Sequence, residues 1–173
     1  MFNLGSMFNL GPADPVVGKK SALIKSTAAE VFRFIGDDLF HNYPRWSPEV
    51  QELECLTDGP VGLGTMVRQV RVDHGQRSES TFRITIYEPP RRLAFAGVVE
   101  PYRCLYELQP YGDGNATELS FTFELLELKV FMRPFEQLVC SAIQDGAART
   151  VENIKRLVEN GKQPYVKKPG GNA

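Results

Sequence analysis

The strongest candidate for a functional side chain is an arginine, Arg68, on a β-strand that the sequence predicts from Thr65 to Asp73. Alternation along this strand assigns one set of residues to the interior face: Met66, Arg68, Val70 and Val72. A buried guanidinium needs a partner or an anionic ligand, because an unpaired charge away from water is costly. Arg68 is therefore a candidate for binding an enolate, carboxylate or phenolate oxygen through charge-assisted hydrogen bonds.

A second register is open for the same strand. A β-bulge near Gly64 would shift the alternation by one residue and turn Arg68 towards solvent. The interior face would then carry Thr65, Val67 and Gln69. In the first register, we expect Arg68 to meet Tyr102, Tyr106 or a bound anion.

Two tyrosines and a histidine extend this chemistry. Tyr102 and Tyr106 share one face of a predicted strand, so each offers a ring for packing and a hydroxyl that orients a ligand or donates a proton. Alternatively, both are core tyrosines with satisfied hydroxyls. His74 lies in a predicted turn, where it is either a general base near neutral pH or an exposed turn residue. The candidate catalytic residues are Arg68, Tyr106 and His74.

Several other kinds of site are not indicated. The sequence contains no Gly-rich phosphate loop, nucleophile elbow or C-x-x-C motif, so we expect neither a nucleotide cofactor nor a covalent nucleophile. His41 and His74 lack the spacing of metal ligands, and we expect no metal site. The three cysteines, Cys55, Cys104 and Cys140, are widely spaced and odd in number. A disulfide framework is therefore not expected, and a reducing cytoplasm fits best.

The composition is that of an ordinary globular domain. The 173 residues are 42% hydrophobic and 24% charged, and both fractions are typical. A net charge of −1 with scattered lysines and arginines does not favour nucleic acid as a partner. The longest apolar stretch, Leu93–Val99, is too short to cross a bilayer, and we expect no integral membrane association. No signal peptide is visible, so the predicted location is cytoplasmic, while the oligomeric state is not indicated.

The hydrophobic pattern changes in a definite order along the chain. A first strand is expected over Lys20–Lys25, then a helix with a Thr27–Glu30 capping box and a second helical piece over Leu39–Trp46. Six β-like segments follow: Val50–Leu56, Thr65–Asp73, Ser78–Tyr87, Arg92–Val98, Tyr102–Pro110 and Thr117–Leu128. Over Pro134–Asn160 the period becomes that of one long helix. The order predicts an α+β fold, in which a seven-stranded curved antiparallel sheet surrounds the long C-terminal helix and two short helices follow strand 1.

Alternation also identifies side chains that face the concave side of this sheet. Together with residues of the helices, they are candidates for binding a ligand: Tyr43, Trp46, Met66, Phe82, Ile84, Phe95, Tyr102, Cys104, Phe121, Phe123, Phe135 and Val139. A concave apolar surface with few polar groups is typical of small-molecule pockets. The alternative is a solid core, in which Tyr43 and Trp46 plug one end and Cys104 is a small packing residue. In either case, the apolar stripe of the long helix, from Phe135 to Val158, should pack against the sheet.

The ends of the chain differ from its middle. MFNLG at residues 1–5 recurs at residues 7–11, with Ser6 between the copies. We interpret Gly5-Ser6 as a cloning scar and Met7 as the natural start, although a tandem duplication is an alternative. We therefore predict a disordered or tag-derived N-terminus over 1–18, a ligand-binding domain over 19–160 and a disordered tail over 161–173.

Four segments resemble a known group of proteins. They are AAEVFRFIGDDLFHNYPRW at 28–46, GPVGLGT at 59–65, YEPPRRLAF at 87–95 and YELQPYGDGNAT at 106–117. The chain resembles the polyketide cyclase/dehydrase and lipid-transport superfamily, also called SRPBCC or START-like. The resemblance implies a helix-grip fold with a cavity. It also implies a cavity mouth at three places: His74-Gly75, Glu100-Pro101-Tyr102 and Phe131-Met132-Arg133. Met132 thereby joins the candidate ligand-binding residues.

The resemblance leaves two functions open, because this superfamily includes both enzymes and carriers. One hypothesis is a small-molecule cyclase or dehydratase of lyase or isomerase type, which folds a polyketide-like or other natural-product substrate into a reactive shape without a cofactor. The other is a non-catalytic carrier or chaperone of a lipid, quinone, sterol or aromatic ligand. The expected partner is a hydrophobic small molecule in both cases. A polar cluster inside the cavity favours the enzyme, and a purely hydrocarbon and aromatic lining favours the carrier. A third possibility is a partner-binding module whose cavity is filled and whose gate region is the interface.

Overall fold

The structure is a computed structural model that describes residues 14–161. The MFNLG repeat and the residues after Gly161 lie outside this range. The elements, in chain order, are β1 Val16–Ile24, α1 Ala28–Phe32, a π-helical turn Arg33–Asp37, α2 Leu39–Trp46, β2 Val50–Cys55, β3 Met66–Asp73, β4 Gln76–Glu88, β5 Arg92–Gly97, β6 Tyr102–Tyr111, β7 Ala116–Leu125, a 3-10 helix Val130–Phe135 and α3 Glu136–Gly161.

The strands form one curved antiparallel sheet in the order β1-β7-β6-β5-β4-β3-β2. Because β1 pairs with β7, the first strand of the chain lies at one edge of the sheet, next to the last strand. The predicted α+β arrangement, with seven strands, two short helices after strand 1 and a long C-terminal helix, is confirmed. β1 begins at Val16, so Val16, Val17 and Gly18 belong to the sheet although the sequence placed them in the N-terminal segment.

Local signals explain where α1 begins. The Thr27 hydroxyl accepts a hydrogen bond from the Glu30 N–H at 3.3 Å, and a Glu30 carboxylate oxygen accepts one from the Thr27 N–H at 3.0 Å. This reciprocal capping box satisfies two N–H groups that a helix start otherwise leaves unpaired. Within residues 14–161, no helix has both the length and the apolar character needed to cross a bilayer.

The long helix α3 packs differently along its two halves. Its C-terminal half buries an apolar stripe against the sheet: Ala147, Val151, Ile154 and Val158. Towards its start, Leu138 is 68% exposed, and Phe135, just before the helix, is 53% exposed. The prediction that the whole stripe packs against the sheet is therefore right from Ile143 onward and wrong for Phe135 and Leu138.

Side chains of α3 also bind the free edge of β1. Gln144 accepts a hydrogen bond from the Lys19 N–H at 3.1 Å and donates one to the Lys19 carbonyl at 2.8 Å. Further along, Lys155 donates to the Leu23 carbonyl at 2.5 Å. Gly18 permits this close approach, since a Cβ there would lie 2.7 Å from the Ile143 carbonyl oxygen.

The register of β3 differs from the one assigned first. Arg68 lies on the outer face, where it forms a two-pronged ion pair with Glu79 at 2.7 and 2.9 Å. Glu52 and Glu54 on β2 each lie 3.4 Å from the same guanidinium. The prediction that Arg68 points inward is therefore wrong, because three carboxylates on neighbouring strands hold it on the outer face. Met66 shares that face and contacts Arg83 at 3.6 Å.

The second register is the one that forms. Thr65, Val67 and Gln69 are buried, at 6%, 0% and 3% exposure. Continuing the alternation by two residues brings a different arginine, Arg71, to the inner face. Arg71 and Arg68 are therefore on opposite sides of the same strand, and the arginine of β3 that faces inward is the one that the sequence did not indicate.

Candidate functional site

A cavity of about 380 Å³ lies between the concave face of the sheet and the middle turns of α3, from Ala142 to Asn153. Its volume falls in the range of small-molecule pockets, roughly 300–1,000 Å³. Strands β3, β4, β6 and β7 supply one wall, and the segment from α2 to β2 closes one side. The helix wall combines small side chains, Ala142, Gly146, Ala147 and Thr150, with three larger ones, Ile143, Arg149 and Asn153. Space is therefore left where a helix with larger residues would have filled the core.

Aromatic side chains form much of the wall. The structure brings six predicted residues of this kind together around the cavity: Tyr43, Trp46, Tyr102, Tyr106, Phe121 and Phe123. The rings of Tyr102 and Phe123 are stacked, with centroids 5.7 Å apart and planes at 13°. Gly97 makes room for Tyr102, since a Cβ at that position would lie 2.8 Å from its ring. The stacking holds Tyr102 at the cavity wall rather than in solvent.

Three other predicted residues lie behind this wall. Phe82, Ile84 and Phe95 are fully buried and do not line the cavity. The rings of Phe82 and Phe95 are 4.6 Å apart, and Tyr43 meets both of them edge-on. These residues therefore support the lining aromatics, and Cys104 lines the cavity beside them.

A charged cluster occupies one side of the cavity. Arg71 donates to Asp73 Oδ2 at 3.3 Å and to the Ser47 hydroxyl at 3.3 Å, and it lies 3.9 Å from Glu49 Oε2. The Ser47 hydroxyl in turn donates to Glu49 at 3.3 Å. All four residues line the cavity. Because two carboxylates and a hydroxyl fix the guanidinium, it is held in place beside the apolar space.

The side-chain amide of Gln69 also lies in the cavity wall, two residues before Arg71 on β3. Gln69 Nε2 donates to the Ser80 hydroxyl at 3.1 Å and to the Tyr102 hydroxyl at 3.3 Å. Its carbonyl oxygen, Oε1, is buried and has no hydrogen-bond partner among the residues that the structure describes. Gln69, Ser80 and Tyr102 all line the cavity.

The ionisable groups of the wall divide into neutral and charged ones. Burial raises the pKa of each of three tyrosines, Tyr43, Tyr102 and Tyr106, and also that of the Cys104 thiol. Burial alone would lower the pKa of Arg71, but the nearby Tyr43, Asp73 and Glu49 leave it raised. At neutral pH the cavity therefore presents protonated hydroxyls together with a guanidinium.

The remaining predicted residues lie away from the cavity lining. Arg68 and Met66 occupy the outer face of β3 as described above. His74 is exposed in the β3–β4 turn with a φ of 49°, and its turn neighbour Asp73 lines the cavity instead. Met132, Phe135 and Val139 lie around the start of α3 and are not among the lining residues. These three side chains precede the turn of α3 at which the helix meets the cavity.

Sequence reasoning missed the most polar residues of the site. Arg71, Glu49 and Ser47 were not singled out, and Gln69 appeared only in the alternative register. A usable signal was present on the neighbouring strands, where Glu52, Glu54 and Glu79 form an acidic outer face. An arginine that pairs with those residues cannot face inward.

Solved structures of the same fold are numerous, and three illustrate its range. TTHA0849 from Thermus thermophilus aligns with a TM-score of 0.66 and 18% identity, covering 85% of this chain and 99% of that one. The di-domain aromatase/cyclase BexL from the BE-7585A biosynthetic pathway aligns at 0.66 and 18%, covering 86% of this chain and 48% of BexL. Norcoclaurine synthase from Thalictrum, in complex with a transition-state analogue, aligns at 0.63 and 17%, covering 87% and 99%.

At these identities the structural matches establish the fold alone. No protein with curated information matches the sequence. The sequence profile of a single family, described as polyketide cyclase / dehydrase and lipid transport, matches residues 16–159, from the first strand nearly to the end of α3. That span includes the whole sheet, the cavity and the Arg71 cluster. The chain belongs to the polyketide cyclase/dehydrase and lipid transport family.

Proposed function

We propose that the chain binds an apolar, oxygenated small molecule in the cavity and promotes its cyclisation or dehydration, with Arg71 holding a substrate oxygen. One observation carries this proposal: a guanidinium fixed by Ser47 and Asp73 lies in the wall of a cavity that also presents six aromatic side chains. A positioned donor next to a low-dielectric space favours negative charge that develops on a carbonyl oxygen.

The residues beside Arg71 suggest how a proton would move. Glu49 lines the cavity on the same side, so its carboxylate would take a proton from the carbon next to a substrate carbonyl. Arg71 would stabilise the enolate that results. In a dehydration, the carboxylic acid of Glu49 would then return this proton to the departing hydroxyl, which leaves as water. The walls contribute by holding a flexible substrate in the shape that reacts.

A carrier is the second candidate, and the aromatic lining favours it. The tyrosine hydroxyls stay protonated because burial raises their pKa values, so they bind oxygen atoms without taking part in proton transfer at neutral pH. Such a wall suits a lipid, quinone, sterol or aromatic ligand that enters and leaves unchanged.

Two dyes with one ring system test the role of Arg71. 1-Anilinonaphthalene-8-sulfonate carries an anion, and N-phenyl-1-naphthylamine lacks it. In the Arg71→Met variant, we expect the Kd for the sulfonate to rise about tenfold or more, because a hydrogen bond to a charged group is lost. The Kd for the neutral dye should stay unchanged.

Arg68→Met is the matched control, since it removes an arginine from the other face of the same strand. It should alter neither affinity. Equal losses in the two variants, or none in either, would show that Arg71 does not bind the anion.

Turnover separates the enzyme from the carrier. Native mass spectrometry of the protein purified from its own host should reveal a bound compound, which is then extracted and incubated with fresh protein. Conversion by the parent protein, and its loss in Arg71→Met and Glu49→Gln, would support the enzyme. Recovery of the compound unchanged from a parent protein that binds it would instead support the carrier.

A further inference from the structure

The amide of Gln69 is oriented but only half satisfied. Its Nε2 atom is bound by two cavity residues, Ser80 at 3.1 Å and Tyr102 at 3.3 Å, so the amide plane is fixed. Its Oε1 atom is left without a partner among residues 14–161, in a residue that is only 3% exposed. Buried amide oxygens are nearly always paired, so a half-paired amide in a cavity wall marks a place where something else binds.

The neighbouring polar groups differ from Gln69 in hydrogen-bonding character. Arg71 can only donate, and the protonated hydroxyls of Tyr43 and Tyr106 can donate to an oxygen of a ligand. Gln69 Oε1 can only accept. The carboxylates of Glu49 and Asp73 also accept, but both are paired with Arg71. Gln69 Oε1 is the acceptor of this wall that has no partner among the described residues, and a ligand with acceptor oxygens alone would leave it unpaired.

We infer that Gln69 determines specificity for a ligand that carries an O–H or N–H donor, such as an alcohol, a phenol or an enol, on its otherwise apolar body. The inference rests on the proposed function, because it concerns the same cavity. The ligand's acceptor oxygen faces Arg71 while its donor faces Gln69. Binding of an acceptor-only compound leaves a buried oxygen unsatisfied, and sites of this kind reject such analogues strongly.

Three naphthalenes of similar size test the inference by fluorescence titration or calorimetry. 2-Naphthol carries a donor, 2-methoxynaphthalene replaces its hydrogen with a methyl group, and 2-acetylnaphthalene is an acceptor only. We expect the parent protein to bind 2-naphthol about tenfold or more tightly than either of the others. Transfer out of water alone favours the methyl ether, so a preference for the naphthol reports a specific contact.

Variants assign that preference to Gln69. Gln69→Leu keeps the size of the side chain and removes the amide, so the three Kd values should become similar. Gln109→Leu is the matched control, since Gln109 is exposed on β6, and it should keep the parent preference. Ser80→Ala retains Gln69 but releases one of its two anchors, so it should reduce the preference for 2-naphthol severalfold. This variant provides a second test if Gln69→Leu does not fold.

The outcomes separate this inference from the proposed function. Equal binding of all three probes by the parent protein, or tighter binding of 2-acetylnaphthalene, would overturn the inference and leave the cavity as a binding site. A preference for 2-naphthol that persists in Gln69→Leu would overturn the role of Gln69. No saturable binding of any probe would overturn the proposed function itself, and the inference with it.

Discussion

The two ends of the space under α3 differ, although the same sheet and helix build both. At one end Ile154 and Val151 are completely buried, and the short helix α1 adds Val31 and Phe32 to the same core. At the other end α3 presents small residues such as Gly146, and the cavity remains. The comparison teaches that the hollow depends on which turns of α3 carry large side chains and on where the short helices pack.

The largest expected effect belongs to the solid end. Ile154→Asp places an unpaired charge in the core, so it should lower the free energy of unfolding by more than about 4 kcal/mol and prevent folding at moderate temperature. Leu138→Asp is the matched change on the same helix at a site that is 68% exposed. It should change that free energy by less than about 0.5 kcal/mol. Urea unfolding followed by circular dichroism measures both values.

Similar losses in these two variants would contradict the division of α3 into a packed and a free half. A stable Ile154→Asp protein would mean that the C-terminal half does not form core. A strongly destabilised Leu138→Asp protein would mean that the first turns are covered.

Alkaline pH should act on the hollow end through its buried tyrosines. Tyr106 is neutral in the folded protein because burial raises its pKa. The unfolded chain has its ordinary tyrosine pKa of about 10, so above that pH the unfolded state loses the proton and the folded state keeps it. The stability due to the raised pKa is thus complete below about pH 10 and is lost as the pH rises further.

Removing one such group should flatten the pH dependence. Between pH 10 and 11, Tyr106→Phe should lose less unfolding free energy than the parent protein does, by roughly 1 kcal/mol. Urea unfolding at pH 8, 10 and 11 provides the comparison. Parallel curves for the two proteins would show that Tyr106 ionises in the folded state as readily as in the unfolded chain.

The smallest expected change in stability comes from filling the hollow. A Cβ at Gly146 meets no atom within 4 Å, so Gly146→Ala should stabilise the protein by about 0.5–1 kcal/mol through helix propensity.

Gly146→Trp should fill the cavity and abolish binding of 1-anilinonaphthalene-8-sulfonate while the protein stays folded. Ser141→Trp, on an exposed position of the same helix, should retain dye binding. Undiminished binding in Gly146→Trp would place the dye elsewhere.

Much of the fold could be predicted because several strands have one clearly apolar face. On β7, Leu119 and Phe121 alternate with Glu118 and Ser120, and the buried face is the predicted one. The change of period near Pro134 likewise located the long helix. Chain order then left few arrangements for one sheet and one long helix.

The candidate site was harder, since β3 carries apolar residues and an arginine on each face. Arg68 and Arg71 have side chains that are both 27% exposed, so exposure alone would not separate them either. Only the partners on β2 and β4 decide which one faces inward, and strand pairing is a long-range fact. The cavity was also beyond the sequence, because a void depends on the distance between α3 and the sheet.

The contacts between α3 and β1 have a consequence for how the cavity can open. β1 is an outer strand of the sheet, and free strand edges invite pairing with another chain. Gln144 and Lys155 occupy backbone groups of that edge. A movement that swung the first turns of α3 outward would break the Gln144 bonds and expose the strand to self-association. A helix that stays in place avoids this hazard, so protection against aggregation itself favours keeping α3 against β1.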